Sequence, residues 1–288
     1  MAKGTAKKLS WILILISFLC LGADKPTIID NMPLVQSHNV SIGDPPKIQR
    51  GSEYKKYLAA GVLVINNEIK GSGTIVFYDR VKNIAYIASC GHIWTGNFSN
   101  IKSCKIQVWY HNQIKLKTPE IYNAKVLFYD NVYDTSLISF NPTWEPEYFP
   151  IAPVNYNILT GSTQHSIGCE FAQEVAHYEV EVVGYGHQKG KAKRELITIK
   201  NSPRQGRSGG GLLTDDGYYI GTCWGTSSYD GTGEGYFTPL EYIYKVWTNH
   251  GYAFLLNGLM PMPARNIPVI DRNQKQGQYN ENYILIPH

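Results

Sequence analysis

The chain has 288 residues, with 27 Lys and Arg against 23 Asp and Glu and a net charge of +4. Residues 1–23 hold Lys3, Lys7 and Lys8, the apolar run Trp11 to Leu21 and the small pair Gly22-Ala23, the layout of a cleaved secretory signal. Without them the net charge falls to +1, which removes the case for nucleic acid as a partner. The apolar run is too short for a stable membrane span, and Leu19 before Cys20 argues against a lipid anchor. The expected location is secreted or periplasmic.

Short apolar runs separated by Gly, Asn, Asp and Pro, with 21 Tyr and 27 Gly, point to an all-β chain. Residues 24–55, with Pro26, Pro33, Pro45 and Pro46, read as an extended lead-in or a pro-segment. Strands are expected over 57–64, 71–78, 83–90, 104–110, 123–129 and 135–140, enough to close a barrel without an open edge. Pro142, Pro146, Pro150 and Pro153 mark a crossing segment, which sets a first domain at 56–145 and a second at 146–259. The second carries expected strands at 165–171, 177–185, 195–200, 210–214, 218–224 and 235–238. Counting strands leaves a pair of barrels and a sandwich both open. A helix follows, with Thr238 as N-cap, Pro239 at its first position and Glu241 completing a capping box. Leu240, Ile243, Val246 and Trp247 share its inner face and Gly251 ends it. Residues 260–288 read as an extended tail.

The chemistry centres on Gly206-Arg207-Ser208-Gly209-Gly210-Gly211-Leu212-Leu213. Glycines let a backbone turn tightly with its N–H groups pointing outward, so a serine among them is a nucleophile candidate beside an oxyanion hole. His92 closes the apolar run that starts at Ile84, and Asp134 opens the alternating stretch to Phe140. The order is His, Asp, Ser, at separations of 42 and 74 residues. His111, His165, His177 and His187 lack the strand-then-loop setting of His92. Asp130 belongs to a turn, whereas Asp134 runs straight into a strand.

These blocks resemble the chymotrypsin-like (trypsin-like) serine peptidases. Gly206–Leu212 matches that family's Gly-Asp-Ser-Gly-Gly-Pro-Leu except at Arg207 and Gly211, and the resemblance spans roughly residues 58 to 250. It implies two six-stranded antiparallel β-barrels packed together with a C-terminal helix. It also implies an endopeptidase on polypeptide substrates in which His92 is the base, Asp134 its orienting acid and Ser208 the nucleophile, with the Gly206 and Ser208 amides as oxyanion hole. Cys223, Trp224 and Gly225 fall where the family pairs with the substrate backbone. Ser202 falls at the base of the primary pocket, with Gly225 and Gly235 as its walls. Glycine walls and an uncharged base imply a preference for large apolar or aromatic side chains. Thr222, where glutamate-cleaving members carry histidine, speaks against acidic ones, and an inward-pointing Glu234 would favour Lys or Arg instead. No metal or organic cofactor is implied. Many members are zymogens whose new N-terminal ammonium pairs with the aspartate preceding the serine. Arg207 cannot receive an ammonium, and the first strand lacks the usual start, so a site ordered without such cleavage is expected. Arg207 itself reads as solvated.

Other readings are weaker. Gly206–Gly210 also satisfies the α/β-hydrolase elbow, with Asp230 and His250 after the serine, but the segment after Leu213 turns rather than forming a helix. Cys90, His92 and Cys104 match no common zinc spacing. After loss of Cys20 four cysteines remain, and Cys90–Cys104 is the preferred bridge, while Cys223 fits equally well as a buried thiol. The basic run Lys189 to Arg194 reads as a solvated hairpin loop. The rival class is a catalytically silent binding protein that keeps the peptidase fold.

Overall fold

The computed structural model describes residues 51–67, 69–94, 101–187, 195–201, 203–227 and 233–256. The leader, nearly all of the lead-in, Ser202, the run 189–194, Asp230 and the tail 260–288 lie outside the described residues. Twelve strands among the described residues close into two barrels. The first holds β1 (Gly61–Asn66), β2 (Ile69–Asp79), β3 (Ile84–Ser89), β4 (Ser103–His111), β5 (Ile114–Asp130) and β6 (Thr135–Phe140). The second holds β7 (Thr163–Cys169), β8 (Val175–His187), β9 (Glu195–Lys200), β10 (Gly211–Leu213), β11 (Tyr219–Thr226) and β12 (Glu234–Pro239). The first closes in the order β1-β2-β3-β6-β5-β4, and the second repeats that order with its own six strands. Every ladder is antiparallel. Ile75, Ile87, Ile106 and Ile138 fill the first barrel and Ile197, Leu212, Ile220 and Phe237 belong to the larger core that includes the second.

Three local expectations change. Residues 57–60 are not strand but the end of helix α1 (Lys55–Ala60). An apolar run of four carries no period, and Lys, Leu and Ala are strong helix formers. This helix stacks Tyr57 on His165 with ring centres 4.2 Å apart, tying the start of the first barrel to the second. Helix α2 (Leu240–Asn249) buries Leu240, Ile243, Val246 and Trp247 as expected, but Thr238 is the fifth residue of β12 and caps nothing. Its hydroxyl turns to the Tyr133 carbonyl. The helix ends on paired bonds from the Gly251 amide to Thr248 and the Tyr252 amide to Trp247, the six-to-one and five-to-two closure of a Schellman motif. The four described cysteines are free and buried, so the Cys90–Cys104 bridge is absent. Burial pushes the thiols of Cys104 and Cys169 up to about 12, which keeps them neutral and inert at ordinary pH. No helix among the described residues is long and apolar enough to cross a membrane.

Candidate active site

Strand β3 ends at Ser89, and Cys90-Gly91 lead into a single tight turn, His92–Trp94. The Cys90 carbonyl accepts the Ser136 hydroxyl at 2.8 Å, tying this exit to β6. Asp134 stands at the entry of β6 and is 2% exposed. A buried carboxylate must be solvated by donors, and Asp134 is. Its Oδ1 accepts the amides of Gly91 at 2.9 Å and His92 at 2.7 Å, and His92 Nδ1 donates to the carboxylate at 2.9 Å. Its backbone is left-handed, with φ 53°, a local cost that surrounding contacts must hold in place. Helix α2 supplies them: Trp247 Nε1 donates to Thr135 Oγ1 and Lys245 Nζ to the Tyr133 hydroxyl.

With Nδ1–H committed to the carboxylate, Nε2 is the proton-accepting nitrogen of a neutral His92. Burial pulls the imidazole pKa down, but the Asp134 charge and the neighbouring Cys90 sulfur outweigh it and hold it well above the usual value. The Cys90 sulfur lies 3.7 Å from Nε2. Cys90, His92 and Asp134 are also the donor types a metal takes. Asp134 Oδ1 already accepts three N–H groups, one of them from the His92 ring, so the set reads as a hydrogen-bonded dyad with a thiol beside it.

Ser208 sits in the loop before β10 and is half-buried. Gly206 and Gly209 have φ of +93° and +89°, which only glycine adopts without strain. A side chain on Gly209 would also strike the Ser72 carbonyl and the Ser89 hydroxyl. The loop amides divide into two sets. Those of Arg207, Gly209 and Gly210 donate to Arg204, Cys223 and Arg207 carbonyls respectively. Those of Gly206 and Ser208 meet no acceptor among the described residues.

Ser72 joins the two halves of the site. Its amide donates to the Ser208 carbonyl at 2.7 Å, and its hydroxyl donates to the Gly206 carbonyl while accepting the Cys169 amide. Gly71 beside it would meet both Ile93 and the Ser208 carbonyl at 3.0 Å if it carried a side chain. The turn bearing His92 and the loop bearing Ser208 therefore converge on Gly71-Ser72. Nothing in the sequence announces this latch between barrels.

Cys223 pairs with the serine loop through the Gly209 amide and Gly210 carbonyl, which puts Cys223-Trp224-Gly225 beside Ser208. Trp224 is the extra residue of a bulge against β12. Burial pushes the Cys223 thiol up, so it is no rival nucleophile. Gly235 lies opposite Ile199 on β9, and a side chain there would sit 2.4 Å from Pro203 Cδ. A proline ring therefore packs against this wall. Glu234 is 3% exposed and accepts the Tyr236 hydroxyl at 2.8 Å. It shares that residue's face, opposite to Gly235, so it is not the pocket acid that would favour Lys or Arg.

One further reading is corrected: Arg207 is not solvated but fully buried. His165 and His177 are 5% and 0% exposed and bond each other at 2.7 Å, with His165 also held by Asp215. Burial, then His165, then Arg207 push His177 down to about 3, so it is a neutral core histidine.

No family model matches the sequence, and no curated protein matches it. Solved structures do. The Rv3671c protease of M. tuberculosis, in an inactive form, is 15% identical with a TM-score of 0.55, covering 74% of this chain and all of its own. The MamO protease domain of Magnetospirillum magneticum is 18% identical with a TM-score of 0.52, over 67% of this chain and 98% of its own. A serine endoprotease of Yersinia pestis is 18% identical with a TM-score of 0.51, over 71% and 68%. At such identities the likeness speaks for architecture alone. Together with two closed six-stranded barrels of identical strand order, it gives this chain the chymotrypsin-like serine-protease fold.

Proposed function

We propose that the protein is an exported serine endopeptidase that hydrolyses peptide bonds through His92, Asp134 and Ser208. The observations that carry the reading are a carboxylate-held histidine and, converging with its turn on Gly71-Ser72, a serine loop whose Gly206 and Ser208 amides meet no acceptor among the described residues. In the proposed mechanism Ser208 Oγ attacks the scissile carbonyl carbon while its proton passes to His92 Nε2. The carbonyl oxygen becomes an oxyanion bound by the Gly206 and Ser208 N–H groups. Collapse breaks the C–N bond, and His92 returns the proton to the leaving amine. Water then attacks the acyl ester, giving its proton to His92, and the second collapse frees the carboxylic acid and regenerates Ser208. Asp134 stays ionised throughout and stabilises the imidazolium. Export rests on residues 1–23, and the peptide is expected to lie along Cys223-Trp224-Gly225.

The Cys90 sulfur beside Nε2 favours a second reading, a silent peptidase-fold binding protein in which the histidine does not reach the serine. Turnover of a peptide ester by folded residues 24–288 separates the two. The enzyme reading expects an acyl burst that Ser208→Ala abolishes; equal rates for the two proteins sink it.

A further inference from the structure

The residue before Ser208 carries a charge that the proposed mechanism does not use. Arg207 is 0% exposed. Its guanidinium runs between β7 and β8 of the second barrel, where Nη1 donates to the carbonyls of Ala176 at 3.1 Å and Gly168 at 3.3 Å and Nη2 donates to Ser166 Oγ at 2.9 Å. The Tyr178 ring lies under it, 4.3 Å from Cζ. Among the described residues no carboxylate pairs with it. Carbonyl dipoles and a ring face do the work of a counter-ion, a role for which a flat, weakly hydrated, five-donor cation is suited and an ammonium is not. Gly168 borders the residue: a side chain there would meet Ser72 Oγ at 3.1 Å and Arg207 Cα and Cβ in ordinary contact at 3.4 Å.

The backbone of the same residue closes the loop. Its carbonyl accepts the Gly210 amide at 2.8 Å and its amide donates to Arg204 at 3.2 Å. Fixing this side chain therefore fixes the turn Gly206–Gly210 from inside the barrel. Resting on the peptidase reading, we infer that Arg207 is the positioning residue of the oxyanion loop. It is an internal pin, set at folding, that holds the Gly206 and Ser208 amides in place with no new N-terminus needed. Burial pushes the Cys169 and Cys223 thiols up, and the Arg207 charge offsets part of that push.

The test has two arms, run on folded protein beginning at residue 24. In the first, an uncleavable N-terminal extension is compared with trimmed forms starting between 24 and 57. Equal kcat across the series is expected; activity only from one exact new N-terminus overturns the inference. In the second, Arg207→Lys and Arg207→Met are compared with the parent for thermal midpoint, kcat, KM and affinity for a peptide boronate that needs the oxyanion hole. For Arg207→Met that stays folded, kcat and boronate affinity should fall about a hundredfold with KM little changed, and Arg207→Lys should recover part of the loss. An unchanged kcat in folded Arg207→Met overturns the inference, because a merely structural side chain would lower only the midpoint. If Arg207→Met does not fold, the extension series decides. An inactive parent would instead count against the peptidase reading itself, so the two failures are distinguishable.

Discussion

The two halves of the site solve one problem with opposite charges. On the first barrel a buried anion, Asp134, is solvated by the amides of Gly91 and His92 and by the His92 ring. On the second a buried cation, Arg207, is solvated by the carbonyls of Gly168 and Ala176, a hydroxyl and an aromatic face. Burying an ion is costly unless dipoles or a partner replace its water, and each half recruits backbone dipoles of the fitting sign. In the proposed mechanism the anion orients and charges the base, and in the inference drawn from Arg207 the cation fixes the loop that presents the nucleophile. Ser72 bonds both the Gly206 and the Ser208 carbonyls of the serine loop.

The comparison breaks hardest at the reacting groups. Ser208→Ala or His92→Ala should lower kcat by about a millionfold, Ser208→Ala with the thermal midpoint unchanged and His92→Ala with a lower one because Asp134 loses a donor, as stopped-flow and calorimetry on the same samples would show. Next comes Asp134→Asn, expected to keep the fold and cost about ten-thousandfold in kcat. The dyad also sets the pH response. His92 must be neutral to act as base, and its folded pKa lies well above the usual value, so kcat/KM should climb with pH on a limb displaced to the alkaline side. Asp134→Asn should move that limb down. The stability sign runs the other way: the charged pair contributes fully below the unfolded histidine pKa, and the contribution fades as pH rises through the folded value.

Ser72→Ala sharpens the comparison at the joint. It leaves the Gly206 carbonyl and Cys169 amide without their partner, which should cost about 1–3 kcal/mol in chemical denaturation and about tenfold in kcat. The smallest effect is expected at the pocket wall. Pro203→Gly should uncover Gly235 and shift cleavage in a peptide library from small toward larger side chains; an unaltered profile would remove Pro203 from the specificity account.

Much of the first half was legible in the residues. His92 and Asp134 each interrupt an apolar strand at its end, and a polar residue there has a strong local signature. The strands 71–78, 83–90 and 135–140 follow from short apolar or alternating runs bounded by turn residues and reappear as β2, β3 and β6. The second half was half legible. The glycines around Ser208 announce a tight turn, but the burial of Arg207 does not show. Its partners are backbone carbonyls, which every sequence has everywhere. The same holds for Ser72, whose partners are main-chain atoms 97 and 134 residues away. Tyr57–Ala60 failed for a local reason, because four apolar residues fit a strand or a helix alike. Thr238 failed because β12 runs on through the cap position.

The most direct test is covalent labelling by a fluorophosphonate probe followed by peptide mapping. The account predicts one adduct, on Ser208, formed by the folded mature chain and lost in His92→Ala. Absence of labelling in the folded protein, or an adduct on another residue that persists in Ser208→Ala, would contradict it.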